Sequence, residues 1–188
     1  MFKLIKINTL LQSIGIVFVF STGIFAQERT WKPFSPPNGG WTINAPGILK
    51  PDSEALKSPS DKGSYSYNDF TGFFAVIYRD SPKRWVPWKP DYTAYMKKNR
   101  DEAVKAVKGQ LLSDQEFTMG NIKGREILIK MPGTTVQERE SPTKVIYRVE
   151  RARMFFNDKR FYVLLVVLPE DEINAPAITN YLNSFTFK

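Results

Sequence analysis

The chain has 188 residues, carries 27 lysines and arginines against 19 aspartates and glutamates, and contains neither histidine nor cysteine. The lack of these two residue types excludes catalysis by an imidazole base or a thiolate, and it excludes zinc sites built from cysteine and histidine. A pair of carboxylates, or a serine activated by a lysine, remains as the route to an enzyme.

The N-terminal segment, residues 1–26, has the layout of a secretory signal peptide. Two lysines precede an apolar run centred on residues 14–20, small residues follow, and the first acidic residue is Glu28. The apolar run is shorter than the roughly 20 residues that a membrane span needs. We expect cleavage after Ala26 and export to the periplasm or the exterior, with an uncleaved N-terminal anchor as the alternative.

Short stretches rich in β-branched and aromatic residues predict the strands of one mainly antiparallel sheet. They cover residues 41–44, 64–68, 73–79, 111–118, 125–131, 145–156 and 160–168. The run at 161–168 is almost wholly apolar, which is typical of a strand in the middle of a sheet with both faces covered. Residues 27–40, rich in proline and glycine, are predicted to form an exposed lead-in, and residues 132–143 a polar loop.

Two helices are predicted. Residues 91–108 place less polar side chains at three- and four-residue spacing, with Asp91 as N-terminal cap and Gly109 as a left-handed stop. The second helix covers residues 175–183, with Asn174 as its cap. This order of strands and helices indicates an α+β fold, and the length of the mature chain favours a single domain over residues 27–188.

Several segments together resemble one family. They are FSPPNGGWTINAPG near the start, FFAVIYRDSP, GNIKGREILIK, and the closing pair RARMFFNDKRFYVLLVV and YLNSFTF. They resemble the PsbP-like group of αβα sandwich proteins, which includes extrinsic subunits of photosystem II and small exported bacterial proteins. The resemblance implies a non-catalytic binding or assembly-assisting module. The ion-related positions of that family include histidines, which this chain lacks, so no functional residue is carried over.

The segment from Lys83 to Lys89 is the first candidate contact surface, because it combines two tryptophans with three cations beside prolines. If Trp85 and Trp88 are exposed with Arg84 and Lys89, they suit a protein, a glycan or an anionic ligand. If they fold inward, they cover the end of the following helix. The sequence leaves both interpretations open.

Arg151 and Arg153 form the second candidate surface, since residues two apart lie on one side of a strand. They predict either a cationic patch with Arg148 and Arg160, or cross-strand pairing with Glu126 or Glu150.

The acidic run at residues 170–172 lacks the glycine and the alternating ligands of a calcium loop. We interpret it as negative charge that interacts favourably with the positive N-terminal end of the following helix. No metal or cofactor is therefore expected.

The leading functional hypothesis is an exported binding module that contacts a protein partner in the cell envelope, with peripheral membrane contact as a further option. One alternative is a small-molecule or glycan binder that uses the loop with Trp85 and Trp88. A second alternative is a carboxylate-dependent hydrolase. Export argues against nucleic acid as a partner.

Overall fold

The computed structural model describes residues 29–37, 39–53, 62–69, 71–81, 83–136 and 144–188. The predicted signal segment lies outside these ranges, so its cleavage, the export and the domain boundary after it stay predictions. Part of the polar loop at 132–143 also lies outside them. Within the described ranges, no helix has the length and apolar character needed to cross a membrane.

The described residues form twelve strands and two helices. The strands are β1 (Lys32–Phe34), β2 (Trp41–Ala45), β3 (Lys50–Pro51), β4 (Lys62–Asn68), β5 (Phe73–Asp80), β6 (Gln110–Met119), β7 (Ile122–Lys130), β8 (Thr134–Val136), β9 (Lys144–Ile146), β10 (Arg148–Asn157), β11 (Arg160–Pro169) and β12 (Thr186–Phe187). The helices are α1 (Pro90–Ala106) and α2 (Pro176–Asn183).

A seven-stranded antiparallel sheet in the order β3-β4-β5-β11-β10-β7-β6 forms the centre of the molecule. The apolar strand β11 lies in its middle, between β5 and β10, as the sequence predicts. Leu164, Val166 and Leu168 are buried on one face of the sheet, and Phe161 and Leu165 are buried on the other. Because successive side chains of a strand point to opposite faces, this apolar run supplies both cores at once.

Helix α1 covers one face of the sheet. Its buried residues are Tyr92, Met96 and Asn99, which recur at three- and four-residue spacing. The hydroxyl of Tyr92 donates a hydrogen bond to the backbone carbonyl of Lys123 on β7, 3.1 Å away. The less polar face that the sequence predicts is therefore the face that packs on the sheet.

The opposite face is covered by α2 together with a small three-stranded sheet in the order β1-β2-β12. Trp41 and Ile43 of β2 and Tyr181 and Leu182 of α2 are buried there, as is Phe185 between α2 and β12. The resulting layers, helix, sheet, then helix with a small sheet, confirm the predicted α+β class.

The predicted ends of α1 are wrong in detail. The residue before the first turn is Lys89, and its side chain makes no capping bond. Asp91 lies inside the first turn, where its carboxylate accepts hydrogen bonds from the Lys83 ammonium and from the N–H of Tyr92. At the other end, Lys108 rather than Gly109 has a positive φ, 51°. Gly109 instead allows close packing, because an added Cβ would lie 2.6 Å from the Cγ2 of Ile129.

Two further predictions, on the cap of α2 and on the lead-in at residues 27–40, are wrong. The side chain of Asn174 does not cap α2, whose first turn follows Ala175 and carries no side-chain capping bond. Part of the predicted exposed lead-in forms β1, which pairs with β2. Trp31, just before β1, packs edge-on against the buried ring of Phe74, 5.9 Å away between centroids. The Trp31 ring is partly buried by this contact, which helps to hold a segment rich in proline against the core.

Glu150 is a buried acid on the α1 side of β10. In register it lies between Ile129 of β7 and Val167 of β11, both apolar. Burial disfavours the charged form and raises the pKa of Glu150 to about 7 from an ordinary value of 4.5.

We predict that Glu150→Gln removes a pH-dependent loss of stability. The folded-state pKa is raised, so the wild type loses stability as pH increases from about 4.5 to about 7, and the loss is constant above that range. The free energy of unfolding of the variant should exceed that of the wild type by about 3 kcal/mol at pH 8, and the excess should vanish near pH 4. Urea denaturation across this range measures it, and a difference independent of pH would contradict the assignment.

Candidate functional site

The tryptophan loop, residues 83–89, connects β5 to α1. Its first tryptophan, Trp85, packs inward, with its ring centroid 4.6 Å from that of Tyr95 and 5.4 Å from that of Phe156. The indole N–H of Trp85 donates to the hydroxyl of Ser81 at 2.6 Å, and the Lys83 ammonium lies 4.0 Å from the ring centroid. The inward interpretation is correct for Trp85, which holds the loop against the core.

Trp88 is more exposed. Its side chain is 36% exposed, and its described ring contact is with Tyr92 of α1, edge-on at 5.7 Å between centroids. The neighbouring apolar side chain, Val86, is 53% exposed. The two tryptophans that the sequence presents as one motif therefore have different roles, an anchor and an exposed tip.

The backbone at Trp88 is unusual for a large residue. The N–H of Lys89 donates to the carbonyl of Val86 at 3.3 Å, Pro87 takes the second position of this turn, and Trp88 takes the third with φ of 66°. These are features of a type II turn, whose third position normally holds glycine. A left-handed backbone costs a non-glycine residue about 1 kcal/mol or more, so the turn presents the indole at the expense of local stability.

Cations surround the tryptophan loop. Arg84 pairs with Asp158 in the β10–β11 turn, and Lys83 pairs with Asp91. The exposed residues Lys89, Lys123 and Lys159 also lie at this end of the molecule. Backbone contacts hold the segments that carry them beside the loop. The N–H of Ser81 donates to the Lys159 carbonyl at 2.7 Å, the hydroxyl of Tyr92 donates to the carbonyl of Lys123, and the N–H of Lys89 donates to the carbonyl of Val86.

Arg151 and Arg153 are only 9% and 7% exposed, so they do not form a cationic surface patch. Both pair with the one carboxylate of Glu126 on β7, Arg151 at 2.9 Å and Arg153 at 2.5 Å. The predicted alternative, cross-strand pairing with Glu126, is the correct one. We call these three side chains the arginine cluster.

The arginine cluster also reaches helix α2. Arg151 donates to the hydroxyl of Thr179 at 3.2 Å, and Arg153 donates to the amide oxygen of Asn183 at 2.7 Å. The other two arginines of the predicted patch lie in separate contacts: Arg148 donates to the backbone carbonyl of Thr71, and Arg160 pairs with Asp80. The cluster is therefore part of the packing between helix and sheet.

The acidic run at residues 170–172 has ion-pair partners. Glu170 pairs with Lys130 at 2.8 Å, and Glu172 pairs with Arg29 at 3.6 Å. No acidic residue lies in the first turn of α2, so the run does not have the helix-terminal position that we expected. Across the described ranges, no three acidic side chains lie close enough together to hold a metal ion.

The outer edge of β6 is a further surface, which the sequence pattern does not reveal; among the described strands, β7 alone pairs with β6. This ten-residue strand pairs with β7 on one side and forms an end of the seven-stranded sheet as described. A register shift between Leu111 and Ser113 leaves Leu112 46% exposed, and Phe117 and Met119 remain half-buried. The sequence shows that this segment is a strand, but the order of strands in a sheet is not a local property.

No protein-family model and no curated protein matches this chain. Among solved structures, the solution structure of cyanobacterial PsbP from Synechocystis superposes with a TM-score of 0.58, covering 90% of this chain and 99% of that chain at 13% identity. The fold is PsbP-like. This agreement confirms the fold implied by the family resemblance, and at such low identity it extends to the fold alone.

A second structure, of a protein from Bacteroides thetaiotaomicron, has 11% identity and a TM-score of 0.48 over 84% of this chain and 48% of that chain. That likeness is too weak to add to the assignment of the PsbP-like fold.

We predict that Glu126→Gln destabilises the chain by about 3–5 kcal/mol, because two buried guanidinium groups lose their shared counter-charge. Glu116→Gln is the matched control, since Glu116 pairs with Arg125 at the exposed surface and should change stability by less than about 0.5 kcal/mol. Urea denaturation compares the two. Equal losses in both variants would contradict a buried, essential charge at Glu126.

We also predict that the two tryptophans of the loop differ in their contribution to stability. Trp85→Ala should cost about 2 kcal/mol, because it removes ring packing against Tyr95 and Phe156. Trp88→Gly should leave stability within about 1 kcal/mol of the wild type, since glycine adopts the left-handed backbone without strain. Thermal denaturation tests this, and a larger loss for Trp88→Gly would show that Trp88 is a core residue.

Proposed function

We propose that this chain is an exported, non-catalytic binding module that acts through protein contacts in the cell envelope. The observation that carries the proposal is the outer edge of β6, which no other described strand covers and on which Leu112 is exposed. Export rests on the N-terminal segment, whose layout is that of a signal peptide.

An edge strand presents a row of backbone N–H and C=O groups that another strand can pair with. From Ser113 to Met119, β6 follows a regular register with β7, so its outer side offers an uninterrupted stretch of backbone for strand addition. Phe117 and Met119 on the same strand pack partly against the core, and the part of each side chain that stays exposed adds apolar surface that a partner would cover. Main-chain pairing of this kind requires a polypeptide, which favours a protein over a small ligand.

The alternatives draw less support from the described contacts. A glycan site that stacks sugars on both tryptophans requires both rings at the surface, but Trp85 is packed against Phe156. A carboxylate-dependent hydrolase requires an acid and a base facing a substrate. Glu126 instead pairs with two arginines, and Asp114 pairs with Arg100 and Arg125.

Leu112→Lys is the test of the proposed interface. A lysine on an edge strand opposes pairing with another chain, and at an exposed position it should alter stability by less than about 0.5 kcal/mol. The tagged protein is recovered from its own envelope after mild crosslinking, and partners are quantified by mass spectrometry. We expect proteins that copurify with the wild type to be lost from this variant.

Ile48→Lys is the control, because Ile48 is also apolar and even more exposed, at 78%, but lies away from β6. This control should retain the partners. The proposal fails if Leu112→Lys and the control recover the same proteins as the wild type, or if the wild type recovers none above background.

A further inference from the structure

The tip of the tryptophan loop combines apolar exposure with a rigid backbone. Val86 and Trp88 are 53% and 36% exposed and flank Pro87 in one turn, and Trp85 anchors that turn to the core. Tryptophan is enriched where protein meets the headgroup region of a membrane, because its ring is apolar and its N–H is polar. Tryptophan is a costly residue at a position that favours glycine, and this cost motivates a role for the exposed indole.

The charge around this tip is positive. The Lys83–Asp91 and Arg84–Asp158 pairs are each neutral overall, as is Arg160 with Asp80 at the end of the adjacent strands. The lysines Lys89, Lys123 and Lys159 add three positive charges that no described carboxylate neutralises. Each belongs to a different segment: the loop itself, the start of β7 and the β10–β11 turn.

This arrangement favours a flat, diffusely negative surface as the partner. Lysines on three separate segments around an apolar tip suit many headgroups in a plane better than one compact anion. Each lysine near an anionic leaflet contributes a similar favourable amount to the binding free energy. The apolar tip contributes by burying apolar area below the headgroups.

We propose that this end of the molecule docks on a lipid bilayer that contains anionic phospholipid, with Val86 and Trp88 inserted between headgroups and the three lysines above them. Docking here goes beyond the protein contact at β6 and uses different residues. The two surfaces are therefore separable by experiment.

The test is flotation with two kinds of vesicle, phosphatidylcholine alone and a two-to-one mixture of phosphatidylcholine with phosphatidylglycerol. The wild type should bind the mixed vesicles with a blue shift of tryptophan emission, and should be released by high salt. Replacement of Lys89, Lys123 and Lys159 by glutamine should lower the partition coefficient about a hundredfold. Trp88→Gly should lower it about tenfold and remove the blue shift.

The matched control replaces Lys97, Lys98 and Lys105 by glutamine, on the exposed side of α1, and removes the same net charge. All proteins carry the same N-terminus, so an apolar leader contributes equally to each. Retained binding by the control, with loss in the loop variants, supports the proposal.

Three outcomes would overturn the proposal: equal binding to neutral vesicles, equal loss in control and loop variants, or binding to immobilised polyglutamate without binding to mixed vesicles. The last would identify an acidic protein surface as the partner of the loop. Thermal denaturation of each variant verifies the fold, and none of these results affects the test at Leu112.

Discussion

The need to cover both faces of strands β10 and β11 determines the rest of the molecule. These strands bury apolar residues on the two faces alternately, for example Leu164 on one and Leu165 on the other. Apolar area removed from water contributes roughly 25 cal/mol per Å², and an uncovered face loses that contribution. Helix α1 covers one face, and α2 with the three-stranded sheet covers the other. The helices are thus a consequence of the central hairpin rather than independent units.

The arginine cluster is a polar exception inside one of these two interfaces. Arg151 and Arg153 lie on the same face as Leu164 and Val166, so their charges are removed from water when α2 packs. Glu126 neutralises one of them, and the side chains of Thr179 and Asn183 satisfy further N–H groups. A buried ion pair adds little net stability but makes wrong packing costly. The cluster therefore fixes where α2 sits on the sheet.

Patterns within single segments predicted most of the fold. The tyrosine-containing stretch at residues 64–68 and the apolar run ending at Leu168 both identify strands, since the composition of a short segment is a local feature. The short strands β3, β8 and β12 carry too few residues for a pattern. The N-terminal cap of α1 was misassigned because Asp91 lies inside the first turn and pairs with Lys83. This contact forms across the β5–α1 loop and is not visible in the local sequence pattern.

The candidate site was less predictable. Two-residue spacing showed that Arg151 and Arg153 share a face, but their burial depends on α2, which follows later in the chain. Trp85 and Trp88 are the same residue type in one short loop, so the sequence does not distinguish them. The structure does, because Trp85 packs against the core whereas Trp88 lies in a left-handed turn with its ring partly exposed. The edge position of β6 follows from the pairing order of all seven strands. Each of these features is a property of tertiary structure.

The turn at Trp88 has a consequence for sequence divergence. At this site glycine is the residue that the backbone favours, and asparagine and aspartate are tolerated, whereas most other residues pay a conformational penalty without supplying an indole. Without selection for the ring, substitutions that relieve this penalty would accumulate at residue 88. Chains of this fold that keep an aromatic ring there, against that mutational tendency, are those in which the ring is under selection.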